Sequence, residues 1–254
     1  MRLEQVFGLA GRTALVTGSG RGIGAAIAEG LAGAGATVIV HATTLVRTEA
    51  TCARIAAAGG RALAVAGDLA LPGAGARLIA EAVALAGQVD ILVINASAQI
   101  NAPLDALTED DLEVQIAVNL RATIGMLQAA LPPMAARGWG RVVSIGSINQ
   151  SRPKAVVTAY AATKAAQHNL IQSQARDYAR HGVMLNTLSP GLIDTDRNAH
   201  RKAEDPQAWQ DYARSLNWVG RAGYPAEMVG AAIFLASDAS SFMAGEVITL
   251  SGGQ

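Results

Sequence analysis

Three residues carry most of the chemistry this sequence could perform: Ser147, Tyr160 and Lys164. In Tyr160-Ala161-Ala162-Thr163-Lys164 a phenol and an amine stand four residues apart. On a helix that spacing puts both on one face, a turn from each other. A free phenol titrates near about 10, too high for a useful acid or base at neutral pH. A neighbouring cation favours the phenolate and draws that value toward the working range. A hydroxyl from Ser147, on a nearby strand end, could then hold a carbonyl oxygen against the phenol. Upstream, Thr17-Gly18-Ser19-Gly20-Arg21-Gly22-Ile23-Gly24 follows an apolar run and opens a helical one. Glycines there let the backbone approach a pyrophosphate, and the helix amino terminus supplies free N–H groups and a favourable dipole. A proton-transfer site beside a dinucleotide site is the setting of hydride chemistry.

Positioning these groups requires a sheet. Thr13–Thr17, Thr37–His41, Ala62–Ala66, Val89–Ile94, Arg141–Ile145, Val183–Leu188 and Glu246–Leu250 read as strands. Most carry Val, Ile and Leu on both faces, as parallel strands covered by helices do. Helical stretches lie between them, among them Gly22–Ala34, Thr108–Ala136 and Thr158–His181; Pro132-Pro133 is expected to end or kink the second near Leu131. The alternation predicts one α/β domain over residues 1–254, a Rossmann-like doubly wound parallel sheet with right-handed crossovers. Between the last two strands, Ile193–Tyr224 breaks the rhythm with polar residues, two tryptophans and Pro206, and reads as a helical lid.

Composition narrows the function. Twenty basic residues balance twenty acidic ones among 254, with no cationic run, so a nucleic-acid partner is not expected. Cys52 is the single cysteine, which leaves no intrachain disulfide to form. The first eleven residues lack a secretory apolar region, and the apolar stretches look too short and interrupted to span a bilayer. A cytoplasmic protein with a small-molecule substrate, no membrane partner and no metal is the expectation.

Cofactor choice should be read at the end of the second strand. Sites that prefer NAD commonly place a carboxylate there for the ribose 2′-hydroxyl. Here the chain reads His41-Ala42-Thr43-Thr44, with no acid before Glu49, while Arg21 sits inside the glycine turn. A guanidinium suits a 2′-phosphate, so NADP(H) is expected over NAD(H). Asp68, followed by Leu69, could accept from an adenine amino group or simply cap a turn. Asn95-Ala96 falls at the carboxyl end of the fourth strand, where open α/β sheets bind ligands.

Taken together, these residues resemble the short-chain dehydrogenase/reductase (SDR) family over essentially the whole chain. The resemblance runs through Thr17-Gly18-x-x-x-Gly22-Ile23-Gly24, Asn95-Ala96, Asn119, Ser147, Tyr160-x-x-x-Lys164, Asn186, Ser189-Pro190-Gly191 and Gly252-Gly253. It implies a seven-stranded sheet, a nicotinamide cofactor and a homotetramer. It makes Tyr160 the acid in reduction and the base in oxidation, with Ser147 orienting the reacting oxygen. It gives Lys164 the nicotinamide ribose hydroxyls and the lowering of the Tyr160 pKa. Asn119 shapes the helix that holds a relay water behind Lys164, and Thr195 meets the carboxamide beside the Ile193 backbone. Ser97 stands where the family has a glycine; either a positive-φ position is lost or the hydroxyl turns to the substrate. His168, one turn past Lys164, reads as structural.

The substrate should meet Ser97, Gln99, Asn149, Gln150, Arg152, Asn198, His200, Trp209 and Trp218, besides Ser147 and Tyr160. Amides and cations dominate that set, which favours a sugar acid or polyol over an acyl chain. The lid sequence resembles the gluconate 5-dehydrogenase branch. Arg21 together with Thr43 resembles the 3-oxoacyl-thioester reductases, the alternative. A regulator that binds cofactor without chemistry is a remote third reading, since Tyr160 and Lys164 are both present.

Overall fold

The computed structural model describes residues 2–253. Seven strands form one parallel sheet: β1 Thr13–Val16, β2 Thr37–Ala42, β3 Arg61–Ala66, β4 Ile91–Ile94, β5 Gly140–Ile145, β6 Val183–Pro190 and β7 Val247–Leu250, in the order β3-β2-β1-β4-β5-β6-β7. The strand order reverses between β1 and β4, whose register pairs Val16 with Val93. At that reversal the connections on either side leave toward opposite faces, which opens a crevice at the strands' carboxyl ends.

The helices are α1 Leu3–Phe7, α2 Gly22–Gly33, α3 Val46–Ala57, α4 Ala74–Ala86, α5 Glu109–Ile116, α6 Ala122–Ala136, α7 Thr158–Tyr178, α8 Ala199–Glu204, α9 Pro206–Leu216 and α10 Val229–Ala236. Alternate residues of each strand face opposite cores. Leu15, Ile39 and Leu92 meet Leu78 of α4, Met126 of α6 and Ile171 of α7 on one side. Val16, Val38 and Val93 meet Ile27 and Leu31 of α2, Ile55 of α3 and Leu235 of α10 on the other. This two-sided burial explains why the strands read as unbroken apolar runs.

The expected helix over Thr108–Ala136 differs in two ways. Thr108 caps α5 through Asp111, and after Ile116 the chain widens into a π turn over Ala117–Arg121 before α6 begins. Pro132 and Pro133 do not end α6, which runs through both to Ala136. Both prolines lie on the exposed face, so water can serve the carbonyls that lose their amide partners. The run Glu109–Ala136 is in fact long and apolar enough to cross a bilayer, contrary to expectation, yet it packs as a core helix against α4 and the sheet.

The lid is built from a short turn over Asp196–Asn198, then α8 and α9, with Pro206 at the first position of α9 and Asp205 capping it. Its base is pinned by a parallel bridge between Ile193 and Gly223.

Candidate active site

The carboxyl ends of the strands enclose a continuous cleft of about 1140 Å³ that reaches from Asp68 and Thr43 at one end to the lid residues at the other. At its floor, Thr17 joins β1 to β4: its hydroxyl donates to the Val93 carbonyl (3.2 Å) and accepts from the Asn95 and Ala96 amides (2.9 and 3.0 Å). The Asn95 side chain donates to the Thr17 and Gly18 carbonyls (2.9 and 3.0 Å), so its amide braces the glycine turn. Gly18 turns at φ +62°, and a side chain at Gly24 would run into the Asn95 amide and the Gly18 carbonyl. Glycine is required there by the close approach itself. No side chain caps the first turn of α2, which leaves its amides for an anion.

Ser19 is a correction. It is fully buried and does not line the cleft; its hydroxyl donates to the Val16 carbonyl (2.6 Å) and accepts from the His41 amide (3.0 Å). It ties β1 to β2. His41, unremarked in the sequence, does the same for the turn: Nδ1 accepts from the Gly18 amide (3.1 Å) and Nε2 faces the Gly67 carbonyl (3.0 Å). Burial lowers its pKa, as suits a neutral ring with one donor and one acceptor committed.

Gly18, Arg21, Gly22, Ile23, Gly24, Thr43, Asp68, Leu69, Asn95, Ala96, Pro190, Gly191, Ile193 and Thr195 all line the cleft. Asp68 also caps its own turn, accepting from the Ala70 amide (2.9 Å). Arg21 is largely exposed and reaches Asp196 of the lid at 3.8 Å. Arg47, from the first turn of α3, lines the same end as Arg21, and the sequence reading missed it.

Ser147, Tyr160 and Lys164 converge on the cleft, at 8%, 5% and 1% exposure. The Asn149 backbone and side-chain nitrogens both donate to Ser147 Oγ (3.2 and 3.3 Å). With its lone pairs so engaged, the hydroxyl proton is directed away, toward the phenol. Burial raises the Tyr160 pKa, against the expectation that its neighbours bring it down. Arg197 and the Ser147 and Ser97 hydroxyls, all set against the phenol, pull the other way and do not prevail. Lys164 does not offset the burial: its Nζ lies 5.9 Å from the Tyr160 ring centre and donates to the Ile145 carbonyl (2.7 Å) and Gln167 Oε1 (2.9 Å). Complete burial, with the nearby Arg197 charge adding, lowers its own pKa to about 7.

Asn119 lies in the π turn. Its side chain holds both the Ala98 amide and carbonyl (2.9 Å each) and the Thr163 hydroxyl (2.9 Å). Its main-chain carbonyl accepts from Gln167 Nε2 (3.1 Å), so Gln167 joins Asn119 directly to Lys164. That link was not foreseen, because a glutamine one turn past Lys164 carries no signal apart from the widened turn it faces.

Of the substrate candidates, Ser97, Gln99, Asn149, Asn198 and His200 line the cleft. Gln150 does not: its side chain folds back to accept from the Ser147 amide (3.3 Å). Trp209 is buried within the lid, 6.2 Å from Tyr212, and Trp218 is exposed beside Gly253. Neither tryptophan nor Arg152 lines the cleft. His168 hydrogen-bonds Thr187 (3.0 Å), in keeping with a structural residue. Three cationic lining residues at this end were missed. Arg197 donates to Gln99 Oε1 (2.8 Å) and Ser97 Oγ (3.3 Å). Lys154 donates to the Tyr212 hydroxyl (2.9 Å), and Arg201 stacks 4.4 Å from the same ring. Ser97 keeps an ordinary backbone, since among the described residues only glycines have positive φ. Its hydroxyl serves Arg197.

Comparison with known proteins now decides the family. The short chain dehydrogenase family model matches residues 12–206. The chain belongs to that family. It is accordingly an oxidoreductase acting on a CH–OH group. A gluconate 5-dehydrogenase of Gluconobacter oxydans is 34% identical over 253 residues, covering 100% of this chain and 98% of its own. A crystal structure from Agrobacterium tumefaciens, described as a 3-oxoacyl (acyl-carrier-protein) reductase with NADP bound, is 70% identical with a TM-score of 0.99, covering 100% of this chain and 98% of that one. A gluconate 5-dehydrogenase from Burkholderia cenocepacia, in complex with NADP and tartrate, is 37% identical with a TM-score of 0.91, over 99% and 98% of the two chains. The expected seven-stranded SDR fold is borne out.

Proposed function

We propose that this protein interconverts a secondary alcohol and a ketone with NADP(H), on a polar small molecule of the sugar-acid or polyol class. The observation that carries the reading is the convergence of Ser147, Tyr160 and Lys164 on one cleft whose lining also brings Gln99, Asn149, Lys154, Arg197 and Arg201. These amides and cations can satisfy substrate oxygens, beside apolar lining from Ile148, Val156, Leu192 and Leu216. NADP-bound relatives support the cofactor.

The donor set fits a dinucleotide. The α2 amides and Gly22–Gly24 would hold the pyrophosphate, and Arg21 with Arg47 and Thr43 the 2′-phosphate. Asp68 and Leu69 would flank the adenine. Asn95 and Ala96 form the floor, and Pro190, Gly191, Ile193 and Thr195 would hold the carboxamide end. When bound, the cofactor supplies or accepts the hydride. The protein's own part is proton transfer and positioning. In reduction Tyr160 Oη gives its proton to the carbonyl oxygen while Ser147 Oγ donates a hydrogen bond to that oxygen; in oxidation the same atoms act in reverse. Lys164 would hold the ribose hydroxyls. Asn119 and Gln167 hold Lys164 in place. The homotetramer and the cytoplasmic setting are likewise proposals, supported by the family resemblance.

Reduction of a 3-oxoacyl thioester is the second reading, favoured by what the relative 70% identical in sequence is described to be. Initial rates of NADPH oxidation with 5-ketogluconate and with an acetoacetyl thioester separate the two. Faster turnover of the keto acid sugar supports the first, and faster thioester turnover overturns it. Tyr160→Phe should cost at least about a hundredfold in rate with NADPH affinity retained, as loss of the proton donor requires. Unchanged turnover would remove Tyr160 from the chemistry.

A further inference from the structure

Among the described residues Arg197 has no carboxylate within ion-pair distance; its side chain donates to neutral oxygens, Gln99 Oε1 and the Ser97 hydroxyl and carbonyl. Both residues come from the segment after β4, so the guanidinium is seated by two side chains at the mouth of the site. It lies against the Tyr160 phenol, where a substrate carbonyl must come.

The remaining charges of the cleft sharpen this. Among the described residues, its acidic lining residues are Asp68 and Asp196 alone. Asp68 is at the adenine end, capping its own turn, and Asp196 faces Arg21. Lys154 and Arg201 meet the Tyr212 phenol. The substrate end therefore holds three cations and no carboxylate. A polyol hydroxyl donates as well as accepts, and a wall of cations leaves its donors unmatched. A carboxylate is acceptor-only and fits a guanidinium through two parallel hydrogen bonds.

Resting on the oxidoreductase reading above, we propose that Arg197, seated by Ser97 and Gln99, selects a carboxylate-bearing substrate over the matching neutral polyol. Ser97 in place of the family's glycine is part of the same device, since its hydroxyl helps hold the guanidinium.

Binding to the NADPH-saturated enzyme tests this without turnover, because an alcohol and NADPH form a dead-end complex. Matched pairs differing in the carboxylate would be titrated by calorimetry: gluconate with glucitol, tartrate with threitol, 3-hydroxybutyrate with butane-1,3-diol. At least one acid should bind about tenfold or more tighter than its neutral partner. Arg197→Leu should shrink that preference to about twofold or less, and Arg197→Lys, which keeps charge but loses the fork, should fall between. Equal binding within every pair, no detectable binding of any acid, or a preference that survives in Arg197→Leu would each overturn the proposal. Failure of the oxidoreductase reading shows elsewhere, as absence of Tyr160-dependent NADPH turnover on any carbonyl.

Discussion

Arg21 and Arg47 approach one end of the cleft from different elements, the glycine turn and α3. Asp196 at 3.8 Å from Arg21 is a weak, solvent-screened contact that a 2′-phosphate would displace. Arg21→Ala should therefore lower the ratio of kcat/KM for NADPH over NADH by about 10- to 100-fold, the size of one charge-assisted hydrogen bond lost. An unchanged ratio would take the 2′-phosphate away from Arg21. Residues whose role follows from local spacing were legible in the sequence: Tyr160 and Lys164 on one helical face, Gly18 to Gly24 at a strand-to-helix turn. Residues whose role depends on distant segments meeting were not. Ser97 and Arg197 are 100 positions apart and touch only because the lid folds back over β4. Gln150 and Trp218 failed for the converse reason, since closeness in sequence to a functional segment does not fix where a side chain turns.

At the scale of elements, the π turn between α5 and α6 holds Asn119, whose carbonyl accepts from Gln167 of α7 and from the Thr123 hydroxyl. Sequence periodicity cannot show a single inserted residue in an otherwise helical run, which is why Thr108–Ala136 read as one helix. Gln167 is 1% exposed and ties three groups together: Lys164 Nζ, the Asn119 carbonyl and the Thr123 hydroxyl. Gln167→Met preserves length and removes all three bonds, so it should cost about 1–3 kcal/mol of stability. Its amide oxygen accepts from the ammonium and favours the charged form, so the variant's Lys164 should lose its proton at a pH below about 7. NMR titration of ε-labelled lysine reads this directly. A Lys164 titration unmoved in Gln167→Met would reduce Gln167 to packing alone.

For the whole molecule, the buried Lys164 couples folding to pH. Its amine titrates at about 7 in the folded protein, from an ordinary value of 10.5. Between those values the unfolded chain holds a proton that the folded protein has released, so stability rises with pH across the window. Below it both states are protonated and the desolvation cost is fully present; above it both are neutral and the cost is gone. The slope cannot exceed about 1.4 kcal/mol per pH unit for one proton. Other groups act outside the lower part of this window. His41 and His168, lowered by burial from 6.5, raise stability with pH only below that value. Cys52, raised by burial from 9.0, and Tyr160, raised by burial from 10.0, oppose the trend only as their unfolded forms ionise. From pH 7 to 9 Lys164 should therefore dominate. Urea midpoints of the cofactor-free protein should climb over that interval, and Lys164→Met, which fills the same space without a charge, should flatten the climb. A wild-type midpoint that stays level or falls between pH 7 and 9 would mean that Lys164 keeps its charge in the folded protein. The Ile145 carbonyl and Gln167 would then suffice to hold an ammonium in the core, and the phenol one turn away would feel a permanent cation after all.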